Sequence, residues 1–170
     1  MTKDQRMVAM GAASGVISMI ALVWLLSIII EVPAIGDTSG DRVGLAAHWL
    51  LLPALVLFAM LVVVGNSRFL SEAIDPTLHK EDQRMVVDGR VADNTVQQFL
   101  IFVVGLLALA VSLPARSLSV IPAVTITFVI ARLVFWFGYR IHPLYRAPGF
   151  SSTAYLNLGM ILASLWLWLR

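Results

Sequence analysis

Long stretches without a charged residue are the feature of this sequence that most constrains its fold. Four of them run for 22 to 25 residues: Met7 to Ile30, Val43 to Ser67, Asn94 to Ala115 and Ala147 to Leu169. A fifth, Ser117 to Tyr139, is interrupted only by Arg132. A helix needs roughly 20 residues to cross about 30 Å of hydrocarbon. The sequence therefore predicts an all-α, polytopic membrane helix bundle with five transmembrane helices.

The composition supports a membrane environment and excludes several kinds of chemistry. Hydrophobic residues make up 59% of the 170-residue chain and charged residues 13%, against about 45–50% and about 25% in soluble domains. Because the chain has no cysteine, a disulfide scaffold, a cysteine nucleophile and a thiolate metal site are excluded. His48, His79 and His142 match no metal-ligand spacing, so we expect no metal site. No basic patch of the kind that binds nucleic acid is present.

The N-terminal stretch has two interpretations. Lys3 and Arg6 before an apolar run would suit a signal peptide, but the run is too long for a cleaved one and no A-x-A site follows it. We therefore expect this helix to be retained. It contains the G-x-x-x-G pattern of Gly11 and Gly15, which permits close helix contact either within the chain or between subunits.

The distribution of Lys and Arg predicts the orientation. One side of the bundle would hold eight of these residues and the opposite side three, namely Arg42, Arg116 and Arg170. The positive-inside rule then places the N-terminus in the cytoplasm and the C-terminus outside. A short outer loop is expected from Pro33 to Asp41, a tight turn from Leu113 to Ser117, and a cytoplasmic extension of the third helix after Lys80.

Two of the predicted helices carry polar faces. On the third, Arg90, Asn94 and Gln97 follow helical spacings of four and three residues. On the fourth, Arg132 and Tyr139 share a face with Phe135. The two helices form a hairpin, so the start of the third and the end of the fourth lie at the same level and the polar faces can meet.

Two arginines on these elements are open to more than one interpretation. Arg132 lies within the span, where an unpaired charge is costly. It either reaches the cytoplasmic headgroups or pairs with Asn94, Gln97 or Asp93. Arg146 precedes the fifth helix, which Ser151 or Ser152 could cap. That arginine is either an anion-binding group or one of the arginines that topology alone places in an inner loop.

The two polar faces resemble the signatures of a known family. Arg90-Val-Ala-Asp-Asn94-Thr-Val-Gln97 is similar to the R-x3-N-x2-E motif of the MAPEG family, the membrane-associated proteins in eicosanoid and glutathione metabolism. Arg132-Leu-Val-Phe135-Trp-Phe-Gly-Tyr139, followed by Arg146, resembles its R-x2-Y-x3-Y-x6-R pattern. The chain looks most like the divergent bacterial and mattrin-like branch.

The resemblance implies a fold, an assembly and a ligand. It divides the chain into an extra N-terminal transmembrane helix with its outer loop (1–42) and a four-helix MAPEG-like membrane domain (43–170). It implies a homotrimer in a lipid bilayer, by analogy in a bacterial inner membrane, with glutathione as co-substrate bound between subunits near the cytoplasmic face. Arg146 would be the catalytic, thiol-activating residue. The residues that would bind glutathione are Arg90, Asn94, Gln97, Arg132, Tyr139 and, more weakly, Arg68.

The function this implies is a glutathione-dependent transferase or peroxidase that acts on lipophilic small molecules. Two departures favour an alternative: Gln97 stands where the family usually has glutamate, and Phe135 where it often has tyrosine. The alternative is a non-catalytic protein of the same fold that binds a lipid headgroup or a protein partner. An ion pathway is a weaker third possibility, because it would require acidic groups inside the spans.

Overall fold

The computed structural model describes residues 1–32, 36 and 38–170 and confirms the five-helix bundle. All five helices are long and apolar enough to cross a membrane, and the described residues contain no strand. Short 3₁₀ turns connect several of them. The helices are α1 (Lys3–Ile29), α2 (Ser39–Phe69), α3 (Gln83–Ser112), α4 (Val120–Ile141) and α5 (Ala147–Trp168).

Side-chain caps set the starts of the first three helices. Thr2 and Thr38 each form a reciprocal capping box, with Gln5 on α1 and Asp41 on α2. The Asp82 carboxylate accepts a hydrogen bond from the Met85 backbone N–H at 2.7 Å and starts α3 well before its apolar part. The predicted extension of this helix is therefore confirmed.

The two predicted connections have different outcomes. Between Leu113 and Ser117 the chain turns through a 3₁₀ helix, Ala115–Ser117, directly into α4, as predicted. Part of the outer loop predicted from Pro33 to Asp41, residues 33–35 and 37, lies outside the described residues. Its last part belongs to the capped start of α2.

Helix α4 lies at the centre of the bundle and packs against the other four helices. Around it, α1 packs on α5, α5 on α3, and α3 on α2. We call the end at which α1, α3 and α5 begin and α2 and α4 finish the arginine-rich end. One apolar cluster around Phe102 and Phe128 fills the opposite half of the bundle. A second cluster, around Phe135 and Trp136, lies towards the arginine-rich end.

The glycine pair of α1 packs within the chain. A Cβ on Gly15 would lie 2.3 Å from the carbonyl oxygen of Pro148, so only glycine allows this approach to α5. The Ser152 hydroxyl donates to the Gly15 carbonyl at 2.8 Å, and at the other end of α1 the Ser119 hydroxyl donates to the Ser27 carbonyl at 2.8 Å. Of the two interpretations of G-x-x-x-G, the structure supports close packing inside one subunit.

Candidate functional site

An open cavity of about 550 Å³ lies at the arginine-rich end between α1, α3, α4 and α5. Two of its polar side chains, Arg90 and Arg146, are cationic, and none is acidic. Its remaining wall is apolar and aromatic. The polar residues are Arg90, Asn94, Tyr139, Arg146, Ser151 and Tyr155, and the others are Val8, Ala12, Phe135, Leu144, Ala147, Phe150 and Ala154.

Two guanidinium groups and two aromatic rings follow each other along α4 and the turn after it. The Arg132 guanidinium carbon lies 4.3 Å from the centre of the Phe135 ring. Phe135 meets Tyr139 edge to face at 5.9 Å, and the Arg146 guanidinium carbon lies 5.0 Å from the Tyr139 ring centre. Cation–π contacts of this kind hold the arginines in place without an acidic partner.

A close backbone approach places Arg146 over the cavity. A Cβ on Gly138 would lie 2.5 Å from the Tyr145 carbonyl oxygen, so the glycine lets the 3₁₀ turn Pro143–Arg146 fold back onto the end of α4. His142 starts this turn, and its Nδ1 accepts a hydrogen bond from the Leu144 backbone N–H at 3.2 Å. Arg146 itself is exposed at the cavity rim.

Arg132 is fully buried beneath the cavity rather than extended to the membrane surface. Its Nη1 donates to the Asn94 side-chain oxygen at 2.9 Å. Of its two alternatives, the structure supports pairing, with Asn94 as the partner. Within the part of the chain that the structure describes, its Nε and Nη2 are buried without a hydrogen-bond partner.

This hydrogen bond orients the Asn94 side chain. A guanidinium group has donors only, so it fixes which side of the amide carries the oxygen. The amide Nδ2, a donor, is left for a ligand in the cavity. Arg132 therefore acts on the cavity through Asn94.

The other predicted site residues are placed elsewhere. Gln97 and Asp93 are exposed on α3 and do not line the cavity. Arg68, at the end of α2, donates through Nη2 to the Glu81 carboxylate at 3.1 Å. Within one chain, the cavity thus brings together Arg90, Asn94, Tyr139 and Arg146, with Arg132 behind them.

The predicted serine cap of α5 is wrong. Helix α5 begins at Ala147 directly after the 3₁₀ turn, and Arg146 is its N-cap without a side-chain hydrogen bond. Ser151 and Ser152 lie inside the helix, where their hydroxyls donate to the carbonyls of Ala147 and Pro148 at 2.8 Å. Both hydroxyls also lie close to carbonyls of α1, so they help to dock that helix.

A second polar cluster, which the sequence reasoning missed, joins α3 to α4 outside the cavity. Arg140 donates to both carboxylate oxygens of Asp88 at 2.7 Å, and Trp136 Nε1 donates to the same carboxylate at 2.8 Å. We call these three residues the Asp88 cluster. The spacing of Arg132, Trp136 and Arg140, four residues apart each time, is the signal that could have indicated a polar stripe here.

The contribution of α1 to the cavity was also missed. Val8 and Ala12 line it, yet nothing in their sequence context distinguishes them from other apolar residues of a membrane span. The glycines at 11 and 15 indicate a close helix contact but not which helix is contacted. The partner of α1 is visible only in three dimensions.

Fold and site together define a polytopic helical membrane protein with a cationic cavity at one end of the bundle. Residues 46–166 match the MAPEG family. This match covers more than half of the chain, and the protein belongs to the MAPEG family. The family includes glutathione transferases and peroxidases as well as non-catalytic members. No curated protein and no solved structure matches the chain.

Proposed function

We propose that this integral membrane protein is a glutathione-dependent transferase or peroxidase that acts on lipophilic electrophiles. The observation that carries the proposal is the cavity of about 550 Å³ that is lined by two arginines and by no acidic residue. Small-molecule sites are typically clefts of roughly 300–1,000 Å³ with an apolar wall and a few polar groups that fix orientation. The membership of transferases in the MAPEG family supports the same function.

Glutathione fits the chemistry of this cavity. The tripeptide carries two carboxylates, and Arg90 and the Asn94 amide donor would bind one of them through charge-assisted hydrogen bonds. Tyr139 is nearly buried, with 7% of its surface exposed, and its hydroxyl would donate to a second acceptor on the ligand. The apolar part of the wall leaves room for a lipophilic second substrate.

Arg146 would stabilise the reactive sulfur. A thiol of pKa about 8.5 is only a few per cent ionised at pH 7, and the thiolate is the nucleophile. Arginine keeps its proton and cannot act as the base, so the proton leaves to solvent and the guanidinium stabilises the anion. Lowering the thiol pKa by two units requires about 2.7 kcal/mol, which is comparable with one charge-assisted hydrogen bond of about 1.5–3 kcal/mol.

The conjugation step balances without a further reactant. With 1-chloro-2,4-dinitrobenzene, the sulfur forms a bond to the carbon that carries chlorine, and chloride leaves. In the peroxidase reaction, two glutathione thiols are oxidised to the disulfide while a hydroperoxide is reduced to the alcohol and water.

The test is conjugation of glutathione to this electrophile by the purified protein in detergent micelles. We expect Arg146→Ala to lower kcat/KM about 100-fold, which corresponds to the loss of about 2.7 kcal/mol of thiolate stabilisation. The matched control is Arg116→Ala, an exposed arginine in the turn at the opposite end of the bundle. Unchanged turnover in Arg146→Ala would remove this arginine from the mechanism.

The second candidate is a non-catalytic protein that binds a lipid headgroup or a protein partner in the same cavity. Gln97 favours it, because the residue stands at the position of the glutamate in the family motif and carries no charge. Phe135 also favours it, since the ring packs against Arg132 and offers no hydroxyl to a ligand. Titration calorimetry separates the two candidates, because only the enzyme is expected to bind glutathione saturably at millimolar concentration.

The assembly and orientation belong to the same proposal. We expect a homotrimer in a bacterial inner membrane, with the N-terminus and the arginine-rich end in the cytoplasm. Glutathione would enter from the cytoplasm and the lipophilic substrate from the bilayer. Cross-linking in membranes and labelling of added surface tags from either side test these two points.

A further inference from the structure

Helix α1 contributes part of the cavity wall, although it lies outside the family match, which begins at residue 46. Val8 and Ala12 of α1 line the cavity together with α3, α4 and α5. Helix α1 therefore bounds the space in which any ligand of this cavity must fit.

Helix α1 is held too firmly to act as a loose cover. The Ser151 hydroxyl, itself part of the cavity wall, lies 3.1 Å from the Ala12 carbonyl oxygen. The backbone contact of Gly15 with Pro148 follows less than one turn later along α1. A Cβ on Gly11 would lie 3.3 Å from Ala147, which also lines the cavity. These three contacts, all between residues 11–15 of α1 and residues 147–151 of α5, fix the distance between Ala12 and the rest of the cavity.

We propose that α1 sets the size of the lipophilic second substrate, with Ala12 as the specificity-determining residue. A methyl group is the smallest side chain that still packs, so Ala12 leaves space where a larger residue would fill the apolar side of the cavity. The cationic residues Arg90 and Arg146 lie on other elements, and glutathione would still bind when that side is narrowed. The substrate named in this inference rests on the proposed function. The effect of α1 on the size of the cavity rests on the structure alone.

The geometric part can be tested without any turnover. Because the chain has no cysteine, Ala154→Cys places a single thiol on the α5 wall of the cavity. We expect Ala12→Phe to slow the labelling of that thiol by N-ethylmaleimide about tenfold. The matched control is Ala13→Phe, the same change at the next residue, which is exposed on α1 and does not line the cavity. Equal labelling rates in the two double variants would overturn the proposal.

A second pair of variants distinguishes a narrower cavity from a folding defect. Val8 is 38% exposed, so Val8→Phe is tolerated more easily than a change at a buried position, and Ala9→Phe is its exposed control. Each variant is first checked for an unchanged melting temperature in detergent. Slower labelling in Val8→Phe than in Ala9→Phe supports the proposal that α1 bounds the cavity, and equal rates contradict it.

The substrate part is tested with 2-alkenals of increasing chain length, in which the glutathione sulfur adds to the β-carbon and a proton adds to the α-carbon. We expect Ala12→Phe to lower kcat/KM about tenfold for the longest chain and less than twofold for the shortest. Equal losses for all chain lengths overturn Ala12 as the size-determining residue. Absence of conjugation in the unmodified chain contradicts the proposed function instead, while the labelling rates still decide whether α1 closes the cavity.

Discussion

The two polar clusters at the interface of α3 and α4 differ in how completely their hydrogen bonds are satisfied. In the Asp88 cluster the carboxylate accepts three hydrogen bonds, from Arg140 and Trp136. Beneath the cavity, Arg132 makes one hydrogen bond, to Asn94, and its Nε and Nη2 have no partner among the described residues. Both clusters lie in the same bundle of membrane-spanning helices.

Helix geometry separates the two clusters. Asp88 and Arg90 are two residues apart on α3, so their side chains lie about 160° apart around the helix axis. The Asp88 cluster therefore joins the helices on the side away from the cavity. Its charges neutralise each other, and both oxygens of the Asp88 carboxylate accept hydrogen bonds within the cluster.

This difference indicates that the two clusters have different roles. A buried ion pair whose carboxylate is hydrogen-bonded at both oxygens holds two helices in register, and breaking it leaves an uncompensated charge. An arginine buried without acidic partners has a cost that packing alone does not offset, and such residues in membrane helices mark functional sites. We infer that the Asp88 cluster is structural and that the Arg132 cluster serves the cavity.

The largest effect on stability is expected from Asp88→Ala. This change leaves the Arg140 guanidinium, 19% exposed, without its carboxylate partner, and Trp136 Nε1 without an acceptor. We expect a loss of about 3 kcal/mol in the free energy of unfolding, measured by chemical denaturation in micelles. Asp93→Ala, an exposed carboxylate on the same helix, is the control and is expected to change stability by less than about 0.5 kcal/mol. A similar small effect at both positions would contradict the structural role of the cluster.

The same substitution at the two arginines is expected to have opposite effects. Arg140→Met leaves Asp88 buried without its partner and should lower stability by about 2 kcal/mol. Arg132→Met removes a charge that is fully buried and should raise stability by about 1 kcal/mol. Because Asn94 then loses the group that orients it, we also expect the glutathione affinity of Arg132→Met to fall about tenfold. Equal destabilisation by the two changes would show that both clusters are structural.

The five helices and the polar part of the cavity wall could be predicted from the sequence. Uncharged length alone located the five spans, because the hydrocarbon thickness imposes it on any membrane helix. Arg90 and Asn94 were placed opposite Tyr139 by helical periodicity and by the hairpin of α3 and α4, both of which are local properties.

The remaining features depend on contacts between distant parts of the chain. The pairing of Asp88 with Arg140 joins positions 52 residues apart, and both residues resemble ordinary charges near a helix end. The packing of α1 on α5 joins Ser152 to Gly15, 137 residues away. Gln97 was assigned to the site by its position in the family motif, and it does not line the cavity that the single chain forms.

The smallest effect is expected from Gln97→Glu, which restores the acidic residue of the family motif. Gln97 is exposed and does not line the cavity, so we expect a change below about 0.5 kcal/mol in stability and less than twofold in glutathione affinity by calorimetry. Asn94→Asp, the matching change at a cavity-lining residue, should lower the affinity clearly, because it replaces the amide donor with a like charge facing the ligand's carboxylate. A gain in affinity of tenfold or more in Gln97→Glu would mean that the glutathione site extends beyond the single-chain cavity to the outer face of α3. That outcome would place the glutathione site at a subunit interface of the proposed trimer. Gln97 would then serve ligand binding, as Arg132 does.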